Sequence, residues 1–146
     1  MASEADVRPF DAPAPSRKKQ DPRVLLAVAG GGFLGGEARY LLGLAFPASR
    51  GTFPATIFAI NVSGAFVLAL LLALITQVWR PTKYVRPLWC TGFCGAYTTF
   101  STWMVDTDRL ISGGHYGLAA ANVFGSLAAG LGATMLGVGI GRWRTR

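Results

Sequence analysis

The chain has 146 residues, 51% of them hydrophobic and 14% charged, which is enough for one domain and too oily for an ordinary water-soluble globule. Its seven carboxylates are Glu4, Asp6, Asp11, Asp21, Glu37, Asp106 and Asp108, so only three fall between 24 and 140, too few to build a water-facing surface. The net charge of +7 makes nucleic acid the weaker reading, because the basic residues flank apolar runs and do not interleave with exposed aromatics.

Residues 1–22 combine four prolines, mixed charge and few bulky apolar side chains, the composition of a disordered tail. The tail is not read as a secretory signal, since SRKKQ is followed by a full-length apolar segment with no small-residue cleavage site. Residues 23–146 then form one membrane domain. At roughly 20 residues per spanning helix, the apolar segments are 24–46, 53–78, 88–111 and 116–140. PASRG at 47–51, RPTKYVRP at 80–87 and DTDRLISGGH at 106–115 interrupt them. Breaks this short make successive helices antiparallel neighbours, and the predicted fold class is an all-α membrane protein of four transmembrane helices. An even number of spans puts both tails and the 80–87 break on one side with eleven Lys and Arg, against Arg39, Arg50 and Arg109 on the other. The positive-inside rule places both termini of this multi-pass cell-membrane protein in the cytoplasm.

Unsatisfied polar atoms at bilayer depth are costly, so each one poses a question. In GGGFLGGEARY at 30–40, Gly31 with Gly35 and Gly32 with Gly36 both have the G-x-x-x-G spacing that lets helix backbones touch. The run is like a dinucleotide fingerprint only superficially, because no strand precedes it. Arg39 lies about 22 Å into its span, where a guanidinium must snorkel or line a watery vestibule. Glu37, two residues earlier, sits on a different face, so no pair between them is expected. In the second span Asn61 falls near the midplane, either as interhelical glue worth about 0.6 kcal/mol or as an uncharged donor facing a dehydrated anion.

The third span contains TGFCGAYTTFSTW at 91–103, with five hydroxyl side chains and two glycines where apolar residues would serve a plain membrane helix. Thr91, Thr98, Thr99, Ser101 and Thr102 can bond back to carbonyls of the preceding turn. Equally, the stretch can break the helix in mid-membrane, which is allowed where the freed backbone is buried or lines a cavity. Freed carbonyls from facing subunits could cage a hard cation such as Na+, while Phe100 and Trp103 present ring edges, the positive end of the quadrupole, to an anion. Cys90 and Cys94, one turn apart, read as small reduced apolar residues, and His115 alone adds too few ligands for a metal site. In the fourth span Asn122, Ser126, Gly130 and Thr134 recur every four residues, about 6 Å apart along the axis. That stripe is either a small-residue packing seam, with Gly125, Gly132, Gly137, Gly139 and Gly141 nearby, or a ladder of donors along a pore wall.

Three motifs in order resemble the CrcB/Fluc fluoride channels, small four-span proteins that work as antiparallel dimers. GGFLGGEARY is similar to the family's first-span glycine motif, with Gly36 where Ala is more usual. NVSGAF at 61–66 resembles its second-span Asn-x-x-Gly-x-Phe, and GFCGAYTTFST at 92–102 its most specific signature. The resemblance implies that Asn61 and Phe100 line a fluoride pathway and that Ser126 and Thr134 belong to its polar track. It also implies that the carbonyls of Gly95 and Thr98 hold a structural Na+ at the dimer interface, and that Arg39 lies near an aqueous vestibule. Trp103 stands where a second pore Phe is usual, Asn122 where a Tyr is frequent, Gly130 where a track hydroxyl often sits, and Ile57 where a Thr precedes the pore Asn, with Thr56 one place off. Trp103 and Asn122 are therefore included in the predicted pathway.

Fluoride is small and strongly hydrated, so a selective pore must replace its water with close donors and ring edges without a fixed charge that traps it. A negative cell interior drives an anion outward by about 2.3 kcal/mol per 100 mV, so a passive channel suffices for export. No residue in the spans is poised for nucleophilic or acid–base chemistry, and no enzyme is predicted. The imbalance of eleven against three predicts insertion in one direction, with an oppositely oriented paralogue as heterodimer partner; homodimer assembly stays open. The rivals are a proton-coupled small multidrug exporter, for which Glu37 is the only embedded carboxylate, and a non-conducting subunit of a heterodimeric channel.

Overall fold

The computed structural model describes residues 21–77 and 83–143. Residues 1–20 of the expected tail, part of the 80–87 break, and several basic residues of the orientation count, Arg144 and Arg146 among them, lie outside the described residues. Helix α1 (Pro22–Ala45) begins at a well-formed cap: Asp21 accepts the Arg23 amide at 3.0 Å and Pro22 takes the first turn, where its missing N–H costs nothing. Helix α2 (Ala55–Gln77) follows the 46–54 loop. The third column starts as a π-helical stretch, Arg86–Cys94, and passes into the α-turn Gly95–Tyr97, together labelled α3; α4 (Phe100–Ser112) continues it. Helix α5 (Tyr116–Trp143) completes the chain, with a π-helical turn at Ala121–Gly125.

These elements form four helical columns, and no strand occurs among the described residues. Both α2 and α5 are long and apolar enough to cross a membrane, and the 24 residues of α1 extend about 36 Å. The 106–115 break is narrower than its composition suggested. Helix α4 runs through 106–112 because Thr107 and Leu110 face inward, and only 113–115 turn, with Gly114 at φ 77°. The polar residues there are the wet side of an amphipathic last turn.

Two backbone-close seams hold the columns together. Along the first, α1 packs on α3. A Cβ added at Gly31 would overlap the Leu88 carbonyl oxygen and one at Gly35 the Phe93 carbonyl oxygen, whereas Gly36 has open space. Of the two overlapping glycine registers in the sequence, the structure uses Gly31–Gly35. Along the second, α2 packs on the 126–143 part of α5, where Ala133, Gly137 and Gly141 are buried. A Cβ at Gly137 would lie 2.6 Å from the Phe66 oxygen, and one at Gly141 would overlap Ala73. The packing seam is thus 133, 137 and 141; a Cβ at Gly130 would meet nothing within 4 Å. Cys90 and Cys94 are free thiols at 8% and 2% exposure beside the first seam. Elsewhere the surface is oily: Phe33, Leu41, Leu44, Phe124, Leu131 and Met135 are all more than half exposed, a belt that water does not favour.

Candidate functional site

Between α3 and α4 the backbone leaves the helix for two residues. Thr98 (φ −76°, ψ 157°) and Thr99 (φ −147°, ψ 126°) are extended. Thr98 Oγ1 donates to the Cys94 carbonyl at 2.9 Å, a bond back to the preceding turn of the kind expected for this hydroxyl-rich stretch. The helix restarts under a side-chain cap: Thr99 Oγ1 accepts the Thr102 amide at 3.2 Å and donates to Thr102 Oγ1 at 3.1 Å. A β-branched hydroxyl residue suits an extended N-cap and is poorly suited to a helix interior.

Asn61 fastens this interruption from α2. Its Oδ1 accepts the Thr99 amide at 2.8 Å and its Nδ2 donates to the Thr99 carbonyl at 2.9 Å, so one primary amide satisfies both backbone groups of a residue that is only 8% exposed. A carboxamide does this without charge, since it carries a donor and an acceptor side by side. Gly64, one turn further along α2, leaves room for the break: a Cβ there would overlap Thr98 Cγ2. Ser63 Oγ lies 3.1 Å from Tyr97 Oη. The Asn-x-x-Gly spacing therefore places a clasp and a recess on the same helix face. The sequence reading singled out Asn61 but missed the role of Gly64, whose signal is its three-residue offset.

The diversion of the Thr99 and Thr102 amides has a consequence for the carbonyls around them. In a continuous helix the Gly95 carbonyl would receive the Thr99 N–H and the Thr98 carbonyl the Thr102 N–H. Those amides go to Asn61 Oδ1 and Thr99 Oγ1 instead. Gly95 is exposed and Thr98 half-buried.

Beside the break, Phe100 is 70% exposed, and its ring meets Trp103 edge to face at 5.6 Å between centroids and 76° between planes. Trp103 is tied in turn to the π-helical turn of α5, its Nε1–H donating to the Asn122 carbonyl at 3.0 Å. Asn122, fully buried, donates from Nδ2 to Thr107 Oγ1 at 2.8 Å, and Thr107 donates to the Trp103 carbonyl at 2.9 Å. The structure thus brings Trp103 and Asn122 together through Thr107, a residue with no signal in the sequence. Asn122 Oδ1 and Ser126 Oγ are buried without a hydrogen-bond partner among the described residues.

The 122–126–130–134 stripe does not share one environment. Asn122 is sealed, while Thr134 is exposed and bonds back to the Gly130 carbonyl at 2.9 Å. Every four residues of α-helix overshoot a full turn by about 40°, and the π-turn at 121–125 shifts the register again. Arg39 is half-buried on α1 and Glu37 exposed; no ion pair joins them among the described residues.

Residues 26–138 match the family described as CrcB-like protein, Camphor Resistance. The chain is 68% identical over 119 residues to Fluoride-specific ion channel FluC 3 of Streptomyces avermitilis, covering 82% of this chain and 58% of that protein. It therefore spans less than two thirds of that relative's length. Fluoride-specific ion channel FluC 2 of Nocardia farcinica is 36% identical over 125 residues, 86% of this chain and 89% of that protein. Fluoride-specific ion channel FluC of Chlorobaculum tepidum is 46% identical over 109 residues, 73% and 85% respectively. With the family match running through all four helical columns, this chain belongs to the CrcB-like family.

Proposed function

We propose that this chain is a subunit of a fluoride-specific channel that lets fluoride leave the cell passively and so protects it from fluoride toxicity. The observation that carries this reading is the Asn61 clasp on Thr99, which holds an extended two-residue break open and delivers Phe100 beside it. The names of the relatives supply the ion. In mid-bilayer the second Nδ2 hydrogen of Asn61, the edge of Phe100 and the Ser126 hydroxyl are uncharged donors that can replace the water shell of a small halide. Thr134 extends the donor line along α5, and Trp103 with Asn122 forms the wall behind Phe100. Arg39 raises the anion concentration at a vestibule without standing in the dehydrated part.

The active unit in this reading is an antiparallel dimer whose contact covers part of the exposed apolar belt and leaves the rest to lipid. The Gly95 and Thr98 carbonyls, each deprived of its helical donor, fit a hard cation such as Na+, which takes oxygen ligands. When bound, the cation supplies fixed positive charge at the break. Two carbonyls from each of two subunits would complete most of such a shell.

Charge asymmetry favours a heterodimer with an oppositely oriented paralogue. Streptomyces avermitilis holds at least two differently numbered relatives of this chain, FluC 2 and FluC 3. Purified chain, alone and with its paralogue, is to be sealed into liposomes and fluoride efflux recorded against chloride. Fluoride-selective efflux supports the channel, and efflux only from the pair identifies a subunit that does not conduct alone. Absence of efflux in every combination overturns the reading. Glu37→Gln leaves fluoride flux intact, whereas a proton-coupled exporter would lose transport.

A further inference from the structure

At the end of the bundle where α2 and α5 begin, the 48–54 loop and the last turn of α4 enclose a cavity of about 800 Å³, lined by none of the residues assigned above to the fluoride pathway. Arg50, Arg109, Asp106 and His115 line it, with Ser112 and the backbone of Gly51. Arg50 is exposed and makes no hydrogen bond or ion pair among the described residues. Arg109 commits one Nη to Asp106 at 3.3 Å while its side chain stays 74% exposed, leaving most of its donor fork available. Two guanidinium groups against one carboxylate leave an excess of one positive charge among them. The imidazole is wedged between two glycines: a Cβ at Gly51 would lie 3.0 Å from its Cε1 and Nε2, and a Cβ at Gly113 3.0 Å from its Nδ1. Gly51, at φ 73°, is in the conformation that favours glycine, so the loop wall stays backbone-thin against the ring.

The depth of the cavity narrows the choice of ligand. Its lining residues immediately precede Ala55 and Tyr116, where the two long apolar helices start. A helix that spans hydrocarbon begins next to the headgroup layer, so the cavity opens at the level of lipid phosphates. We propose that it binds the phosphodiester headgroup of an anionic phospholipid. Guanidinium forks match phosphate oxygens bidentately. A net charge of one suits a monoanionic diester; a phosphate monoester, at roughly −1.5 to −2 near pH 7, would also meet Asp106. The volume falls in the range of about 300–1,000 Å³ used by small ligands.

The test is native mass spectrometry of the full chain in detergent, titrated with phosphatidylglycerol and, separately, phosphatidylcholine. Phosphatidylglycerol binds at least tenfold more tightly to the natural chain. Arg50→Gln reduces that preference and Arg50→Gln with Arg109→Gln abolishes it, with helicity by circular dichroism unchanged. Because Arg50 makes no hydrogen bond or ion pair among the described residues, its single substitution breaks none of those described and remains informative if the double variant fails to fold. Equal affinity for the two lipids, or a preference that survives both substitutions, overturns the proposal. Inorganic phosphate binding through the same arginines without any lipid preference assigns the cavity to the free anion and overturns the lipid occupant. Flux is not read in this experiment, so its outcome is independent of the channel reading.

Discussion

Asn61 carries two backbone hydrogen bonds across 38 positions of sequence, and each group it satisfies belongs to a nearly buried Thr99. Replacing it with Leu leaves an N–H and a C=O without partners, at about 1–3 kcal/mol each. Asn61→Leu is expected to lower thermal stability in detergent and cut fluoride efflux by more than tenfold. Asn61→Asp keeps the acceptor for the Thr99 amide, loses the donor and adds a charge, so it is expected to melt closer to the natural chain yet conduct no better than Leu. Trp103→Phe removes the indole N–H from the Asn122 carbonyl and costs about 1–3 kcal/mol, checked by the melting temperature. If Trp103 also steadies the Phe100 edge, fluoride flux per folded channel falls with it. The chemistry of Asn61 was legible in the sequence as an uncharged donor in oil. Its partner was not, because nothing in a linear string says which backbone group 38 residues away has been released from its helix.

At the scale of the helix, the first seam depends on the absence of two side chains. Gly31→Ala or Gly35→Ala forces a methyl group into the Leu88 or Phe93 carbonyl, which backbone cannot yield cheaply. Either is expected to abolish recovery of folded protein by size-exclusion chromatography, while Gly36→Ala, with open space around it, is recovered normally within the single-chain fold. The end of the same seam is closed by an ion pair, Lys83 Nζ to Asp21 Oδ2 at 2.6 Å, which pulls Asp21 below its ordinary 3.8 and lifts Lys83 above its ordinary 10.5. A depressed carboxylate contributes stability that is complete above 3.8 and lost as pH falls through its lower folded value; a raised amine contributes stability that is complete below 10.5 and lost as pH rises through its higher one. The pair is therefore expected to hold through the neutral range and loosen at both extremes. Hydrogen exchange at the Arg23 and Val24 amides, which bond to Asp21, checks this: protection beyond that of Lys83→Gln should appear near neutrality and vanish in acid. Glycine spacing announced a close helix contact but offered two registers. Only the π-helical widening of 86–94, which turns carbonyls toward Gly31 and Gly35, selects between them.

For the whole molecule, orientation is a property of composition. Eleven basic residues on one side against three on the other predict that a C-terminal tag is found in the cytoplasm in nearly every copy; equal populations on the two sides would mean dual insertion and a homodimer. The four columns, the membrane environment and the family were all legible in the chain, because spanning length, scarcity of carboxylates and positive flanks are sums over many residues that no single contact can reverse. The stripe on the last helix was not: 122, 126, 130 and 134 look equivalent when counted by fours, yet helical drift and the π-turn at Ala121–Gly125 seal Asn122 against Thr107 and leave Thr134 outside. Tertiary structure alone decided that the small residues at 133, 137 and 141 form the seam, that Trp103 and Asn122 act through each other, and that Arg50 and Arg109 meet around one cavity. The physical reason is common to all three. Composition sets what an environment must be, whereas the partner of a given donor, methyl or charge depends on how helices rotate and cross, and that is settled only when backbones touch.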